Sequence, residues 1–200
     1  MRITVALTFI SFALALVIGT VIAAFRVSPV PPLRVAGTVY VETIRNTPLA
    51  VLMVLFFFGL PKAGVQYDDF VSAIIVLSAY TSTFVAETVR SGINAVAIGQ
   101  VEAGRSLGLS FPTVLSGVVL PQAMRTVAAP LGSVFIALIK NSAVASIISV
   151  HDLTFMGDSV ANATAQPVAA FLGAAVGYLL LALPSGWVVG VIERRTAIKR

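Results

Sequence analysis

GQVEAGRSLGLS, residues Gly99–Ser110, is a short polar island between long apolar runs. It holds one glutamate, one arginine, three glycines and three further small residues. From about Val96 to Leu107 the residues suit a helix, with Glu102 and Arg105 spaced to pair along one face. Gly108 suits the left-handed position that ends such a helix. Ser110, followed by Phe111 and Pro112, suits the start of the next one, with serine as N-cap and proline in the first turn. The pattern predicts a short helix, a tight turn and a second helix that enters the apolar phase. Ala103 and Gly104 give the short helix a low-profile surface on which another backbone can approach closely.

The apolar phase is lipid. Hydrophobic residues make up 58% of the chain and charged residues only 10%. A soluble domain carries about 25% charged residues, so these few cannot cover a water-facing surface. The chain reads as an all-α integral membrane protein, one transmembrane domain over residues 1–200. With no cysteine, disulfides, thiolate metal sites and cysteine nucleophiles are excluded. A formal net charge of +5 suggests nucleic acid only until the charges are placed. They sit in inter-span segments and at the C-terminus, where they set membrane orientation, so no nucleic-acid partner is expected.

A crossing helix needs roughly 20 apolar residues. Five stretches meet or approach this: Ile3–Phe25, about Val35–Leu60, about Phe70–Arg90, one within Val114–Val150, and about Val168–Ile192. The fourth holds Arg125, Lys140, Pro121 and Pro130. Each proline frees a carbonyl four residues earlier, at Gly117 and Thr126, which is tolerated at membrane depth only inside protein or beside water. This span is expected to be a kinked inner helix in two pieces, about Pro112–Met124 and Val127–Ala145. A cleaved signal peptide is the other reading of the first span; its length and the lack of a small-residue cleavage site favour a span. Arg26, Arg34, Arg90, Arg105, Arg194, Arg195, Lys199 and Arg200 all fall on one side of a five-span chain. That side is expected to be cytoplasmic, with the N-terminus outside and the C-terminus inside. Arg2 dissents mildly.

Enzyme chemistry finds no support. There is no G-x-x-x-x-G-K-[ST] phosphate loop and no G-x-S-x-G elbow. The single histidine, His151, lacks any metal-binding context, so neither catalytic nor metal-ligating residues are expected.

The full string narrows the function. Glu102–Gly108, EAGRSLG, then nine residues, then VVLP at Val118–Pro121, resembles the EAA signature of ABC-importer permeases, EAA-x3-G-x9-I-x-LP. The spacing is intact; Gly104 stands where the second alanine is usual and Val118 where isoleucine is usual. Further pieces are similar to the polar amino acid subgroup of that family: YVETIRNTPL at Tyr40–Leu49, AETVRSGI at Ala86–Ile93, GQVEA at Gly99–Ala103, LPQA at Leu120–Ala123 and KNS at Lys140–Ser142. The chain starts almost at its first span, whereas members of the family usually carry a longer lead-in, which leaves the natural start open.

The resemblance implies a type I importer permease: five transmembrane helices with a cytoplasmic coupling helix between the third and fourth, within about 96–121. It implies a bacterial inner-membrane subunit for polar amino acids, paired with an identical or sister permease. Two cytoplasmic ATPase subunits, which use ATP and Mg, and an extracellular or periplasmic binding protein complete the assembly; no cofactor is bound by this chain. Glu102, Ala103 and Gly104 would contact the ATPase, with Arg105 pairing to Glu102 or to the partner, Gly108 setting the turn, and Leu120 and Pro121 the junction with the fourth span. An ion-coupled secondary transporter or a channel subunit is the alternative. Ionisable groups near spans face protein or water, so Glu42, Arg45, Glu87, Arg90, Arg125 and Lys140 are pathway candidates. Glu42–Arg45 and Glu87–Arg90, each at i,i+3, equally suit structural ion pairs. The preferred pathway residues are Lys140, Asn141 and Ser142, with Glu87; a lysine there suits a substrate carboxylate.

Overall fold

The computed structural model describes residues 1–196, and every regular element among them is helical. The helices are α1 (Arg2–Val27), α2 (Pro31–Arg45), α3 (Leu49–Gly59), α4 (Asp69–Asn94), α5 (Ile98–Ser106), α6 (Phe111–Val114), α7 (Leu120–Asn141), α8 (Leu153–Thr164) and α9 (Pro167–Thr196). Lys199 and Arg200 lie outside the described residues.

The bundle is built on α1 against α4. In lipid no hydrophobic force draws helices together, so close packing of small residues must do it. The buried face of α1 reads Thr4, Leu7, Thr8, Ser11, Ala15, Gly19 and Ala23, repeating every three or four residues as one face of a helix does. It meets Ser82, Val85 and Ala86 on the buried face of α4. At Gly19 a methyl group would stand 2.6 Å from Val85 Cβ and 2.7 Å from the Ser82 carbonyl oxygen, so the two backbones nearly touch. Thr8 Oγ1 is satisfied within its own helix, donating to the Thr4 carbonyl at 2.8 Å.

Contacts at both ends show that α1 and α4 run parallel: Ile3 shares a cavity with Asp69 and Phe70, and Arg26 meets Glu87. The intervening chain must therefore cross back. It does so as α2 and α3, bent by 98°, not as the continuous second span expected from Val35 to Leu60. The break falls at Asn46-Thr47-Pro48, where proline lacks an N–H and pushes its predecessor out of helical geometry. Asn46 closes α2 from its side chain, donating to the Glu42 carbonyl at 2.8 Å.

The fourth span is also broken elsewhere than expected. It does not split near Arg125; α7 runs unbroken through Pro130. The disruption is a wide π turn at Leu115–Val119, where the Leu120 N–H reaches back to the Leu115 carbonyl. One extra residue in this turn absorbs the bond that Pro121 cannot donate. Past α7, a tight 3-10 segment, Ser142–Ile148, leads to α8, an element the hydropathy reading did not anticipate. α4 and α7 run antiparallel, as do α7 and α9, held close by glycine: a methyl on Gly92 would strike Val127, and one on Gly132 would strike Val189.

Asp152 ties α8 into the bundle. It is fully buried, caps α8 by accepting from Phe155 N at 2.8 Å, and accepts from the Tyr178 hydroxyl of α9 at 2.8 Å. Beside it, Leu153 N donates to Thr4 Oγ1 of α1 at 3.1 Å. Burial raises the carboxyl above its ordinary value, against the lowering effect of these hydrogen bonds. The raised group favours the protonated folded state, a contribution fully present below the ordinary value of 3.8 and lost as pH rises through the raised one. Asp152→Asn, which keeps an acceptor for the cap and stays neutral, is expected to retain stability at neutral pH and to flatten its pH dependence. Asp152→Ala orphans two donors and should lose about 1–3 kcal/mol; thermal unfolding in detergent across pH 4–8 checks both.

Candidate functional site

The polar island folds as its residues suggest. α5 spans Ile98–Ser106. Gly108 takes φ +78°, and Gly108 N and Leu109 N close the helix onto the carbonyls of Arg105 at 3.0 Å and Gly104 at 3.2 Å. The Ser110 hydroxyl caps α6 by accepting from Thr113 N at 3.4 Å, and Pro112 stands in the first turn.

Two details were not legible. Glu102, Ala103 and Arg105 are exposed, but Gly104 is buried. A methyl on it would stand 3.0 Å from Val114 Cγ2, so its small size serves a close approach of α5 to α6 within this chain, not an exposed low-profile surface. The second is a hydrogen bond from Gln122 Nε2 of α7 to Gln100 Oε1 of α5. It joins the glutamine of GQVEA to that of LPQA, and both glutamines stood in the quoted motifs without an assigned role. Glu102 and Arg105 form no ion pair among the described residues. Leu120 is 42% exposed, and Pro121, also exposed, begins α7 directly after the π turn. The short helix is thus anchored on its inner side to α6 and α7 and bare on its outer side.

The membrane charges converge differently from their sequence spacing. Glu87 is a hub: Oε1 meets Arg26 of α1 and lies 4.0 Å from Arg45 of α2, while Oε2 accepts from Arg90 at 2.8 Å. The Glu87–Arg90 pair is as expected; Glu42–Arg45 does not form. Arg45 instead reaches Glu87 and stands 5.8 Å over the Phe84 ring, and Glu42 accepts from Asn46 Nδ2 at 3.0 Å.

Lys140, Asn141 and Ser142 do not share one face, because successive residues at the end of a helix diverge by about 100°. Lys140 is exposed. Asn141 lines a cavity of about 230 Å³ between α4 and α7 with Thr81, Phe84 and Ser133. Ser142 is fully buried and donates to the Ile139 carbonyl at 2.7 Å. Farther along the same helix pair, Glu87, Thr88, Arg90, Ser91 and Thr126 line a second cavity of about 370 Å³. The α4–α7 face therefore carries two recesses in line, the first mostly apolar with Thr81, Ser133 and Asn141 on its wall, the second lined largely by charged and hydroxyl side chains. His151 is exposed with its ring 4.4 Å from that of Phe155, and no cluster of three or more potential metal ligands occurs among the described residues.

A helical membrane bundle with a recessed, partly polar face and an anchored, outwardly bare helix at one end has the build of a transport subunit. Residues 15–198 match the family described as binding-protein-dependent transport system inner membrane component. The chain is 39% identical over 211 residues to the glutamate transport system permease protein GluC of Corynebacterium glutamicum, covering 99% of this chain and 92% of that one. It is 36% identical over 193 residues to the L-cystine transport system permease protein TcyB of Bacillus subtilis, covering 96% and 82%. Among solved structures, an amino acid ABC transporter crystallised with histidines superposes with a TM-score of 0.93 at 33% identity, covering 98% of this chain and 91% of that one. The chain belongs to this inner-membrane family and, within it, to the amino-acid ABC transporter permeases. That assignment sets aside the reading as an ion-coupled carrier or channel subunit.

Proposed function

We propose that this chain forms, with a second identical or sister permease, the translocation pathway for a polar amino acid, and that α5 seats in a cytoplasmic ATPase subunit. The observation that carries the proposal is the build of α5: bare outside, and tied inside to α6 through Gly104 and to α7 through Gln100–Gln122. A push on Glu102, Ala103 or Arg105 passes to α7 at Leu120 and Pro121, while Gly108 sets the turn between α5 and α6. ATP and Mg belong to the two partner ATPases; a binding protein delivers substrate on the opposite face. The permease thus lies in the bacterial inner membrane with its N-terminus outside and its C-terminus cytoplasmic. Supporting this, Arg26, Arg90, Arg105, Arg194 and Arg195 lie toward one end of the bundle, and Asp68, Asp69 and His151 toward the other.

In this reading the α4–α7 recesses line the path. Lys140 at the outer end supplies positive charge toward a substrate carboxylate and Asn141 a neutral polar wall, whereas Ser142 and Glu87 hold the path in shape. The relatives named for glutamate and cystine support an amino acid as cargo.

The test is a cysteine at Ala103 in the assembled transporter. It is expected to cross-link to the co-purified ATPase subunit, and nucleotide binding should change the yield. An assembled, ATP-hydrolysing complex with no cross-link from Ala103 or from its exposed neighbours Glu102 and Arg105 overturns the docking assignment.

A further inference from the structure

α1, α7 and α9 enclose an open groove of about 550 Å³. Leu16, Ala128, Gly132, Val188 and Ile192 are among its walls. At its centre Gly132, lacking a side chain, lets Val189 of α9 close on α7. The one hydroxyl on the lining, that of Ser185, donates to the Leu181 carbonyl of its own helix at 2.8 Å, so the lining offers no free side-chain donor. At one end the groove is closed by aromatic contacts, Phe135 lying 5.2 Å from Phe9 and 5.0 Å from Phe12 between ring centroids.

The other end is basic. Arg125 lies one turn before Ala128 on the same face of α7, and Arg195 one turn after Ile192 on the same face of α9. Both are exposed, and neither forms an ion pair among the described residues. Glu193 lies roughly 160° round α9 from Arg195. An apolar slot at membrane depth with two guanidiniums at its mouth complements one kind of molecule: a hydrocarbon tail bearing an anionic phosphate.

We propose that this groove binds an anionic phospholipid, with an acyl chain along α7 from Ala128 towards Phe135 and its phosphate between Arg125 and Arg195. The site goes beyond the transport reading and needs only that the chain is embedded in a bilayer. Its occupant wedges between the helix that follows the coupling segment and the last span, and so makes the mobility of α7 responsive to lipid composition.

The test uses the assembled, delipidated transporter offered equal amounts of phosphatidylglycerol and phosphatidylethanolamine with matched chains, with retained lipid counted by native mass spectrometry. Phosphatidylglycerol should be held preferentially, one molecule per copy of this chain. The pair R125Q/R195Q should lower its retention at least about tenfold while sparing phosphatidylethanolamine. Ala128→Phe, which fills the slot, should lower both. Equal retention of the two lipids by the native protein overturns the site, as does unchanged phosphatidylglycerol retention in R125Q/R195Q. A disulfide between Leu16→Cys of one copy and Val188→Cys of another also overturns it, because a second copy would then cover the groove.

Discussion

Gly19→Leu is expected to abolish recovery of monodisperse protein in detergent, and Gly19→Ala to lower the midpoint of thermal unfolding by several degrees. The α1–α4 seam has no room for either side chain. A methyl carbon at Gly19 meets Val85 Cβ and Cγ1 at 2.6 Å and the Ser82 carbonyl oxygen at 2.7 Å. The valine is stiff at its first torsion, and the carbonyl belongs to helix backbone, so neither yields without moving α4 as a body. Overpacking in a close-fitted core typically costs about 1–3 kcal/mol. Leucine here also separates the helices on which the bundle is built, so the loss should exceed that range. Gly190→Leu is the matched comparison: it is also a helical glycine, but with no atom within 4 Å of the added carbon. It should change stability by no more than about 0.5 kcal/mol. Size-exclusion chromatography after graded heating reads all three. A Gly19→Leu protein as stable as Gly190→Leu would show that α1 and α4 are not in such contact.

The limits of the crossing helices were legible because lipid imposes one rule, apolar length, and α1, α4 and α9 obey it within a few residues. The α5 boundary was legible for a different reason: Gly108 and Ser110 act through local backbone chemistry, which needs no distant partner. What hydropathy missed depends on geometry that it averages away. Asn46-Thr47-Pro48 breaks the helix over three residues, enough to turn the chain by 98° yet too short to register over a window of about 19 residues. Both prolines of the fourth span were read as disruptive, and only Pro121 adjoins an irregularity. A π turn placed the irregularity ahead of Pro121, and Pro130 passed inside a continuous helix.

Long-range partners were least legible. The i,i+3 rule identified Glu87–Arg90 because both lie on one helix, and it predicted Glu42–Arg45 for the same reason. The fold overrode the second, because α2 leans on α4 and offers Arg45 both a carboxylate and an aromatic face there. Nothing in the sequence placed Arg26 beside Glu87, 61 residues away. Gly104 shows the converse: its smallness was noticed, but that the Val114 side chain packs on it was not legible from its neighbours.

Glu87→Gln should be the most damaging single change among the charged residues. The carboxylate accepts from Arg26 and Arg90 and lies 4.0 Å from Arg45, so it joins α1, α2 and α4 through one group. Arg26 is only 10% exposed and lies low against Gly37, leaving its charge little access to water. Removing the anion leaves three guanidiniums crowded without compensation. Breaking a buried pair by deleting one partner costs roughly 3–5 kcal/mol, and the 23% exposure of Glu87 puts this site at the lower end, about 3 kcal/mol. Glutamine preserves shape and a hydrogen-bond acceptor, so the loss reports charge more than packing. The discriminating measurement is a double-mutant cycle with Arg26→Met, which keeps the aliphatic stem and removes the buried cation. E87Q/R26M should be more stable than E87Q alone, because the least hydrated of the three cations is gone. If the two losses simply add, the residues act independently, and the cluster is not the electrostatic tie that holds α1 and α2 to α4.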